Sequence, residues 1–489
     1  MHRKWVTKNN YLMISFLISI AALILGYLIY GRVIERIFGP DDRKTPALAH
    51  PDGVDYIAMP TWKVFMIQFL NIAGTGPIFG AIMGAWFGPA SYLWIVLGCI
   101  FAGSVHDYLS GMMSLRHDGA GLPELVGKYM GNTMRIIMLV FSMMLLLMVG
   151  AVFVYSPASI LAGLGGNEIM WFVVIFIYYI IATLLPINKI IGKIYPIFAI
   201  ALIFMALGLF VALIIKMPTL PEVWHIGNMD AWITAQTHNG TDLLGIEEYL
   251  TANTIFPAMF ITIACGAISG FHATQSPLMA RCIKSEKLGR PIFYGSMITE
   301  GMVALVWAAV SSWFFYSGGW REVMPQDAVN EFLAQVGNTD GKSLIQYFNA
   351  PAVVKLVCSS WLGVAGGILA MLGVVAAPIT TGDTALRSAR LIIADFLKYD
   401  QKPMTKRLMI AVPMFAAVLA LLIWQITNPN GFNTLWLYFG WSNQTLSVFT
   451  LWTITIFLYK YKKCYWVTLI PAIFMTTVSL TFIIQQIIG

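Results

Sequence analysis

Long runs of apolar residues alternate with short polar stretches along nearly all of the 489-residue chain. Each run spans about 20 residues, the length at which an α-helix crosses the roughly 30 Å hydrocarbon core of a bilayer. The runs lack the two-residue alternation of a membrane β-barrel, and helices satisfy every backbone group inside such a run. The pattern therefore predicts about 12 helical segments. Numbered 1 to 12 in chain order, they cover residues 11–32, 64–86, 90–114, 133–157, 169–187, 190–215, 253–273, 289–317, 351–379, 406–427, 432–459 and 464–487.

Composition narrows the fold class to an all-α integral membrane protein. The chain is 58% hydrophobic and 11% charged, whereas a soluble domain carries about 25% charged residues. Its formal charge of +7 does not indicate nucleic-acid binding, because the basic residues lie in short loops where they act as topology signals. The five cysteines are scattered without a CxxC pair, so neither a disulfide framework nor a zinc site is predicted.

The basic residues also predict an orientation. If loops after odd-numbered segments face the cytoplasm, that side holds 23 of the 30 Lys and Arg residues. The positive-inside rule then places both termini outside, although Arg3, Lys4 and Lys8 argue locally for the opposite. A reporter fused at Gly489 that proved cytoplasmic would contradict this orientation.

Segments 2 and 7 are poorly built as continuous helices. Segment 2 contains NIAGTGP at residues 71–77, where Pro77 lacks an N–H and crowds the preceding turn. Segment 7 contains the polar, glycine-interrupted stretch IACGAISGFH at residues 263–272. Small residues at these places could instead serve close helix packing. The occurrence of such a stretch in both segments favours discontinuous helices over close packing of continuous ones.

The spacing of the two breaks predicts an inverted repeat. Segments 2 and 7 lie five apart, and because five is odd the second set of five enters the membrane in the opposite sense. Inverted repeats with discontinuous helices at matching positions hold the substrate and ion sites of secondary transporters. The predicted domains are 1–63 (peripheral segment 1 and its loop), 64–215 (repeat one), 216–252 (extracytoplasmic loop), 253–459 (repeat two) and 460–489 (peripheral segment 12).

The candidate substrate site groups residues of the two breaks with two amides of segment 11. Unwound carbonyls can coordinate a cation, and helix N-termini can hold a carboxylate. For the segment 11 amides, Asn443 and Gln444, the alternative to substrate binding is hydrogen bonding between helices. The candidate substrate-binding residues are Asn71, Ala73, Gly74, Thr75, Gly76, Gly266, Ser269, Gly270, His272, Asn443 and Gln444.

A sodium site is predicted by analogy with leucine-transporter-type folds. In those folds sodium lies between the first helix of repeat one and the third helix of repeat two. The Ala73 and Gly74 carbonyls would then face Thr380 and Thr381, with Asp383 nearby, and such oxygen ligands suit a small cation. For Asp383 the alternative is an ion pair with Arg387, four residues on.

Ionisable residues inside membrane helices are costly and so are candidates for function. Glu300 in segment 8 can be a proton carrier or a cation ligand, or it can make a structural hydrogen bond. His106 and Asp107 in segment 3 are candidates for proton coupling, with a structural or gating role as the alternative. Neighbours on a helix point about 100° apart, so we expect these two not to face one target. His272 can titrate near neutral pH or contact an anionic substrate.

Several separated stretches resemble the carbon starvation protein A (CstA) family. They are NIAGTGPIFGAIMGAWFGP at 71–89, GSVHDYLSGMMSLRHDG at 103–119, FPAMFITIACGAISGFH at 256–272, DGVDY at 52–56, TTGDTALRSAR at 380–390 and WLYFGWSNQ at 436–444. The resemblance implies a multi-pass transporter of the bacterial cytoplasmic membrane, linked to peptide or pyruvate uptake. It also implies similarity to the amino acid–polyamine–cation group, whose fold is the inverted five-helix repeat.

The predicted function is ion-coupled import of small carboxylate-bearing nutrients during carbon starvation, by alternating access. Sodium or a proton would be the coupling ion, with no other cofactor, and membrane lipids and the solute would be the partners. The chain contains no Walker A, GxSxG or HExxH motif, so ATP-driven transport and enzyme activity are not expected. A channel filter built from the breaks is the alternative, and a membrane enzyme or sensor is a third.

Overall fold

The computed structural model describes residues 13–162, 165–185, 191–238, 241–336, 343–401, 403–428 and 431–488. Within these ranges the protein is helical apart from loops and one short hairpin, in which Thr237–His238 pairs antiparallel with Thr241–Asp242. Some residues used to predict the orientation lie outside the described ranges. They are Arg3, Lys4, Lys8, Lys189, Lys342, Lys402 and Gly489.

Eight helices in the described ranges are long and apolar enough to cross a bilayer, and one bent pair makes a ninth. The eight are Ile14–Phe38, Ala90–Leu115, Asn132–Ala162, Tyr195–Lys216, Glu286–Tyr316, Gly366–Leu397, Met404–Thr427 and Trp466–Ile488, and the bent pair is Thr61–Ile72 with Gly76–Phe87. These spans confirm a helical multi-pass membrane protein.

Segments 5 and 11 are also helical, and the helix of segment 6 begins before its counted span. Segment 5 forms Glu168–Leu184, and segment 11 forms Gly431–Lys460. Segment 6 begins at Ile191 and ends at Lys216. The connections carry short helices at Pro46–Ala49, Leu122–Met130, Val223–His225, Asp230–Thr234, Ile246–Ala252, Gly319–Val323, Gln326–Val336 and Leu344–Tyr347.

Both predicted helix breaks are present. In segment 2 the first helix ends at Ile72 and the second begins at Gly76, with a 46° bend between them. Pro77 lies at the start of the second helix, where its missing N–H leaves no hydrogen bond unmade. In segment 7 one helix ends at Thr262 and the next begins at His272, so residues 263–271 are not helical.

The predicted boundaries of segment 9 are wrong. Residues 351–379 do not form one span; the chain forms a short helix Ala350–Trp361 and then a separate 35-residue helix Gly363–Leu397. The long helix continues past residue 379 because its polar side chains face the protein interior instead of water. Thr380, Thr381 and Asp383 are at most 1% exposed, so they lie within this helix and not at its end.

The outer surface and the interior differ in the way a bilayer requires. Large apolar side chains are exposed on the outer faces of segments 1, 4, 5, 6, 10 and 12, where lipid takes the place of water. The interior, in contrast, contains buried polar and charged side chains on segments 2, 3, 7, 8, 9 and 11. These six segments therefore carry the groups from which a site can be built.

Candidate binding site at the two helix breaks

The two breaks lie directly against each other. A Cβ added at Gly76 would lie 2.4 Å from Sγ of Cys265, so glycine is required for this approach. One residue further along each segment, Pro77 lies beside Gly266, which has a positive φ of 92°. The structure thus brings Gly76 and Gly266, two of the predicted substrate-binding residues, into the contact between segments 2 and 7.

Segment 11 holds the break of segment 7 in place through Asn443. The Asn443 side-chain oxygen accepts hydrogen bonds from Ser269 Oγ at 3.0 Å and from the Phe271 backbone N–H at 2.7 Å. The Asn443 carbonyl accepts from the Gly270 N–H at 3.2 Å. Asn443 therefore replaces hydrogen bonds that residues 263–271 would make in a helix, which is the interhelical bonding considered for it as the alternative to substrate contact.

Gln444, the next residue, bonds to the other side of the same break. Its amide nitrogen donates to the Phe260 carbonyl at 2.9 Å, while its side-chain oxygen has no hydrogen-bond partner among the described residues. Both amides of segment 11 thus contact the broken segment, and Gln444 retains one free acceptor.

Asp107 joins two histidines in a buried chain. One carboxylate oxygen lies 2.8 Å from His106 Nδ1, and the other lies 2.8 Å from His272 Nδ1. The far nitrogen of His272 lies 3.5 Å from a Glu300 carboxylate oxygen, and these four side chains are fully buried. His106 and Asp107 contact each other although they are neighbours on one helix, because the two carboxylate oxygens of Asp107 contact two histidines at once.

Many polar atoms around the breaks are buried without a partner. An unpaired buried polar group costs about 1–3 kcal/mol, so such groups are candidates for binding an ion, water or solute. Among the described residues, the atoms here without a hydrogen bond are His106 Nε2, His272 Nε2, both Glu300 oxygens, both side-chain ends of Gln68 and Asn71, Thr75 Oγ1 and Gln275 Oε1. Of these, His272 Nε2 and one Glu300 oxygen lie 3.5 Å from each other.

Thr381 connects the break of segment 2 to segment 9. Its hydroxyl donates to the Leu70 carbonyl at 3.4 Å, and a Cβ added at Gly74 would lie 2.8 Å from the same hydroxyl. Thr380 bonds within its own helix, donating to the carbonyls of Ala376 and Ala377, both at 2.9 Å. Of the two threonines, Thr381 is the one whose side chain the structure records against segment 2.

Asp383 faces segments 5 and 6. Its carboxylate accepts hydrogen bonds from Tyr195 at 2.5 Å and from Tyr178 at 3.2 Å. The structure records Arg387 with Asp55 and with backbone carbonyls, not with Asp383. The sequence does not indicate a role for either tyrosine, because tyrosines are common in the apolar segments of membrane proteins.

A buried group of charges, here called the Asp55 cluster, ties a loop to segment 9. Asp55, in the loop before segment 2, pairs with Arg387 at 3.2 Å and with Arg390 at 3.5 Å. Arg387 also donates to the carbonyls of Ala182 and Leu185 at the end of segment 5. The loop, segment 5 and segment 9 are therefore held together by the Asp55 cluster.

Solved structures of membrane transporters share this fold. The chain is similar to a Na⁺-coupled sialic acid symporter with a TM-score of 0.52 and 13% identity, covering 96% of this chain and 95% of the other. It is also similar to a manganese transporter of Eremococcus coleocola with a TM-score of 0.51 and 14% identity, covering 88% of this chain and 89% of the other.

Relatives in sequence are closer. An uncharacterised membrane protein of Haemophilus influenzae is 43% identical over 62% of this chain and 91% of its own. The peptide transporter CstA of Escherichia coli is 26% identical over 95% of this chain and 79% of its own, and that of Campylobacter jejuni is 27% identical over 96% and 79%.

The family model for the carbon starvation protein CstA matches residues 11–163, 154–346 and 352–482, nearly the whole chain. The stretches that resembled this family in the sequence include both helix breaks, the His106–Asp107 pair and the threonines of segment 9. The chain is a membrane transporter that belongs to the carbon starvation protein CstA family.

Proposed function

We propose that the protein is an ion-coupled secondary transporter that imports small carboxylate-bearing solutes, such as short peptides or pyruvate, across the bacterial cytoplasmic membrane. The observation that carries this proposal is the pair of helix breaks, packed against each other and surrounded by unpaired polar atoms. The relatives named as peptide transporters support the same reading.

The proposed architecture is one peripheral helix, two inverted sets of five and one further helix. Breaks at the first helix of each set support it, as does the fold shared with a Na⁺-coupled symporter. Alternating access would follow from rocking of segments 2 and 7 against the scaffold, with the site opening to each side in turn.

The proposed substrate site lies at the two breaks. The second helices of both broken segments begin there, Gly76–Gly84 and His272–Ala280, and the positive ends of their dipoles favour a carboxylate. The unpaired amide of Asn71 and hydroxyl of Thr75 can donate hydrogen bonds to the same group. Peptides and pyruvate share the carboxylate that these groups suit.

The proposed sodium site is the junction of segments 2 and 9. Thr381 lies against the Leu70 carbonyl and Gly74, so an ion there would be held between the break and the long helix. The predicted set also contains the Ala73 and Gly74 carbonyls. Thr380 and Asp383 belong to the same prediction, but the Thr380 hydroxyl bonds within its own helix and Asp383 bonds to Tyr195 and Tyr178. A negative cell interior favours entry of each positive charge by about 2.3 kcal/mol per 100 mV, so cotransport can concentrate an anionic or zwitterionic solute.

A proton is the second candidate for the coupling ion. Glu300, His106 and Asp107 are the residues proposed to carry it, and the buried Asp107 chain supports their acting together. Replacing Glu300 by glutamine should abolish uptake driven by a proton gradient. Equal proton-driven uptake by Glu300→Gln and wild type would remove this role.

The test of the proposed function is uptake of labelled pyruvate and of a labelled dipeptide into proteoliposomes. Sodium and proton gradients are imposed separately, so the measurement identifies the solute and the ion together. Accumulation above the external concentration is expected with one gradient and not without it. Equilibration without accumulation, together with absence of counterflow, would instead indicate a channel.

Thr381→Ala is expected to raise the sodium concentration for half-maximal uptake by about tenfold or more. It removes a hydroxyl ligand, and a tenfold change corresponds to about 1.4 kcal/mol. Thr384→Ala is the matched control, because the Thr384 hydroxyl donates to the Thr380 and Thr381 carbonyls of its own helix. Equal sodium dependence in Thr381→Ala, in Thr384→Ala and in wild type would refute the site.

A further inference from the structure

Three buried side chains of different chemistry converge beside the break of segment 7. Cys265 Sγ, a ring nitrogen of His272 and a carboxylate oxygen of Glu300 all lie within 4.8 Å of one another. Cys265 lies in the non-helical stretch, His272 begins the next helix, and Glu300 lies in segment 8. The three ligand types, thiol, imidazole and carboxylate, are those that bind zinc in proteins.

The His272 ring is oriented as metal-binding histidines are. Its Nδ1 lies 2.8 Å from Asp107, while Nε2 points to Glu300 and makes no hydrogen bond to any described residue. A carboxylate on one ring nitrogen fixes the tautomer and leaves the other nitrogen free to coordinate a metal. His106 holds the second oxygen of Asp107 at 2.8 Å, which fixes the carboxylate in turn.

The spacing of the atoms suits one ion. Two ligands about 2.1 Å from a tetrahedral ion lie about 3.4 Å apart, and His272 Nε2 and Glu300 Oε2 are 3.5 Å apart. Both Glu300 oxygens are buried without a hydrogen bond among the described residues. The ionic partner recorded for the buried Glu300 carboxylate is His272, and a divalent cation between the two side chains would bind both.

We propose that Cys265, His272 and Glu300 bind one divalent transition-metal ion of the zinc type, with Asp107 orienting His272. The ion would join Cys265 and His272, at the two ends of the segment 7 break, to Glu300 in segment 8. It would so stabilise the break, which lacks helical backbone hydrogen bonds. A thiolate and an imidazole favour Zn²⁺, Co²⁺ or Fe²⁺ over Mg²⁺ or Ca²⁺, which prefer oxygen ligands. The site shares no residue with the proposed sodium site, but it uses His272 of the predicted substrate site and Glu300 of the proposed proton carriers, so a bound ion and proton coupling through Glu300 exclude each other.

The experiment uses the full-length protein purified in detergent and Co²⁺ as the probe. One Co²⁺ per chain should bind, with the absorption of a tetrahedral ion and a thiolate-to-cobalt charge-transfer band, and Zn²⁺ should displace it. Cys265→Ser should remove the charge-transfer band, and Glu300→Gln and His272→Gln should weaken Co²⁺ binding at least tenfold. Cys358→Ser is the matched control, because Cys358 is also a buried free cysteine but lies in the helix Ala350–Trp361.

Absence of the charge-transfer band in the wild-type protein would overturn the proposal without any variant. So would a band that persists in Cys265→Ser, or Co²⁺ binding unchanged in both Glu300→Gln and His272→Gln. The binding assay needs no transport activity, so its failure leaves the proposed function standing. A failed uptake assay, conversely, leaves the metal site standing.

Discussion

Gly270→Ala is expected to prevent recovery of folded protein. A Cβ added at Gly270 would lie 2.2 Å from the Ser447 backbone nitrogen, 2.4 Å from the Asn443 carbonyl oxygen and 2.6 Å from the Leu446 carbonyl carbon. These atoms belong to the backbone of the helix Gly431–Lys460, so no side-chain rotation relieves the clash. The helix must move away, which also breaks the hydrogen bonds from the stretch 263–271 to Asn443.

The expected cost exceeds the about 1–3 kcal/mol of ordinary overpacking, because backbone packing and buried hydrogen bonds are lost together. Size-exclusion profiles and thermal stability of a fluorescent fusion measure the outcome. Gly227→Ala is the control, since a Cβ there meets no atom within 4 Å. A monodisperse Gly270→Ala protein with the melting temperature of the wild type would show that segment 11 does not contact the break as described.

The helix breaks could be predicted from the sequence because their causes are local. Pro77 lacks an N–H and is favoured in the first turn of a helix, and glycines such as Gly266 adopt the positive φ that other residues avoid. The helical class followed equally directly, since a run of about 20 apolar residues has few other stable states in a bilayer. The helix breaks and the helical class both depend only on residues that are close together in the sequence.

The errors arose where the interior of the protein is polar. Thr380, Thr381 and Asp383 lower the apolar character of the segment 9 helix, so hydrophobicity ends the segment at residue 379 although the helix continues to Leu397. Only the folded structure shows that segments 2, 5 and 6 surround these side chains and remove them from water. Hydrophobicity identifies the faces of helices that meet lipid, and it fails for faces that meet a polar site.

Pairings between distant residues could not be predicted for a related reason. Asp107 and His272 are 165 positions apart, and Asp55 and Arg390 are 335 apart. Asp55 lies in a stretch that reads as an exposed loop, with nothing in its neighbours to indicate that it is buried. Each of these contacts depends on helix packing, which a single sequence does not specify.

Asp55→Asn is expected to destabilise the protein by about 3–5 kcal/mol, the cost of removing one partner from a buried ion pair. Arg387 and Arg390 are fully buried and Asp55 is 3% exposed, so the substitution leaves two guanidinium groups in the interior without their counter-charge. Thermal unfolding in detergent measures the loss. Asp42→Asn is the control in the same loop, because Asp42 is 82% exposed and its pair with Lys287 is open to solvent.

A second substitution separates charge from packing. Arg390→Gln in the Asp55→Asn background removes one of the two unpaired charges, so the double variant should be more stable than Asp55→Asn alone. Equal or lower stability of the double variant would show that Arg390 contributes through packing and not through its charge. The interaction energy of the pair follows from the double-mutant cycle.

The pH dependence gives an independent check on the same cluster. Burial on its own would raise the pKa of Asp55, but Arg390 and Arg387 hold that pKa below its ordinary value of 3.8. A carboxyl group with a lowered pKa stabilises the folded protein above its ordinary pKa and loses this effect only as the pH falls through the lowered value. The difference in melting temperature between wild type and Asp55→Asn should therefore stay constant from about pH 5 to pH 8. A difference that shrinks across that range would mean that Asp55 is protonated there, and that the two arginines do not hold its charge.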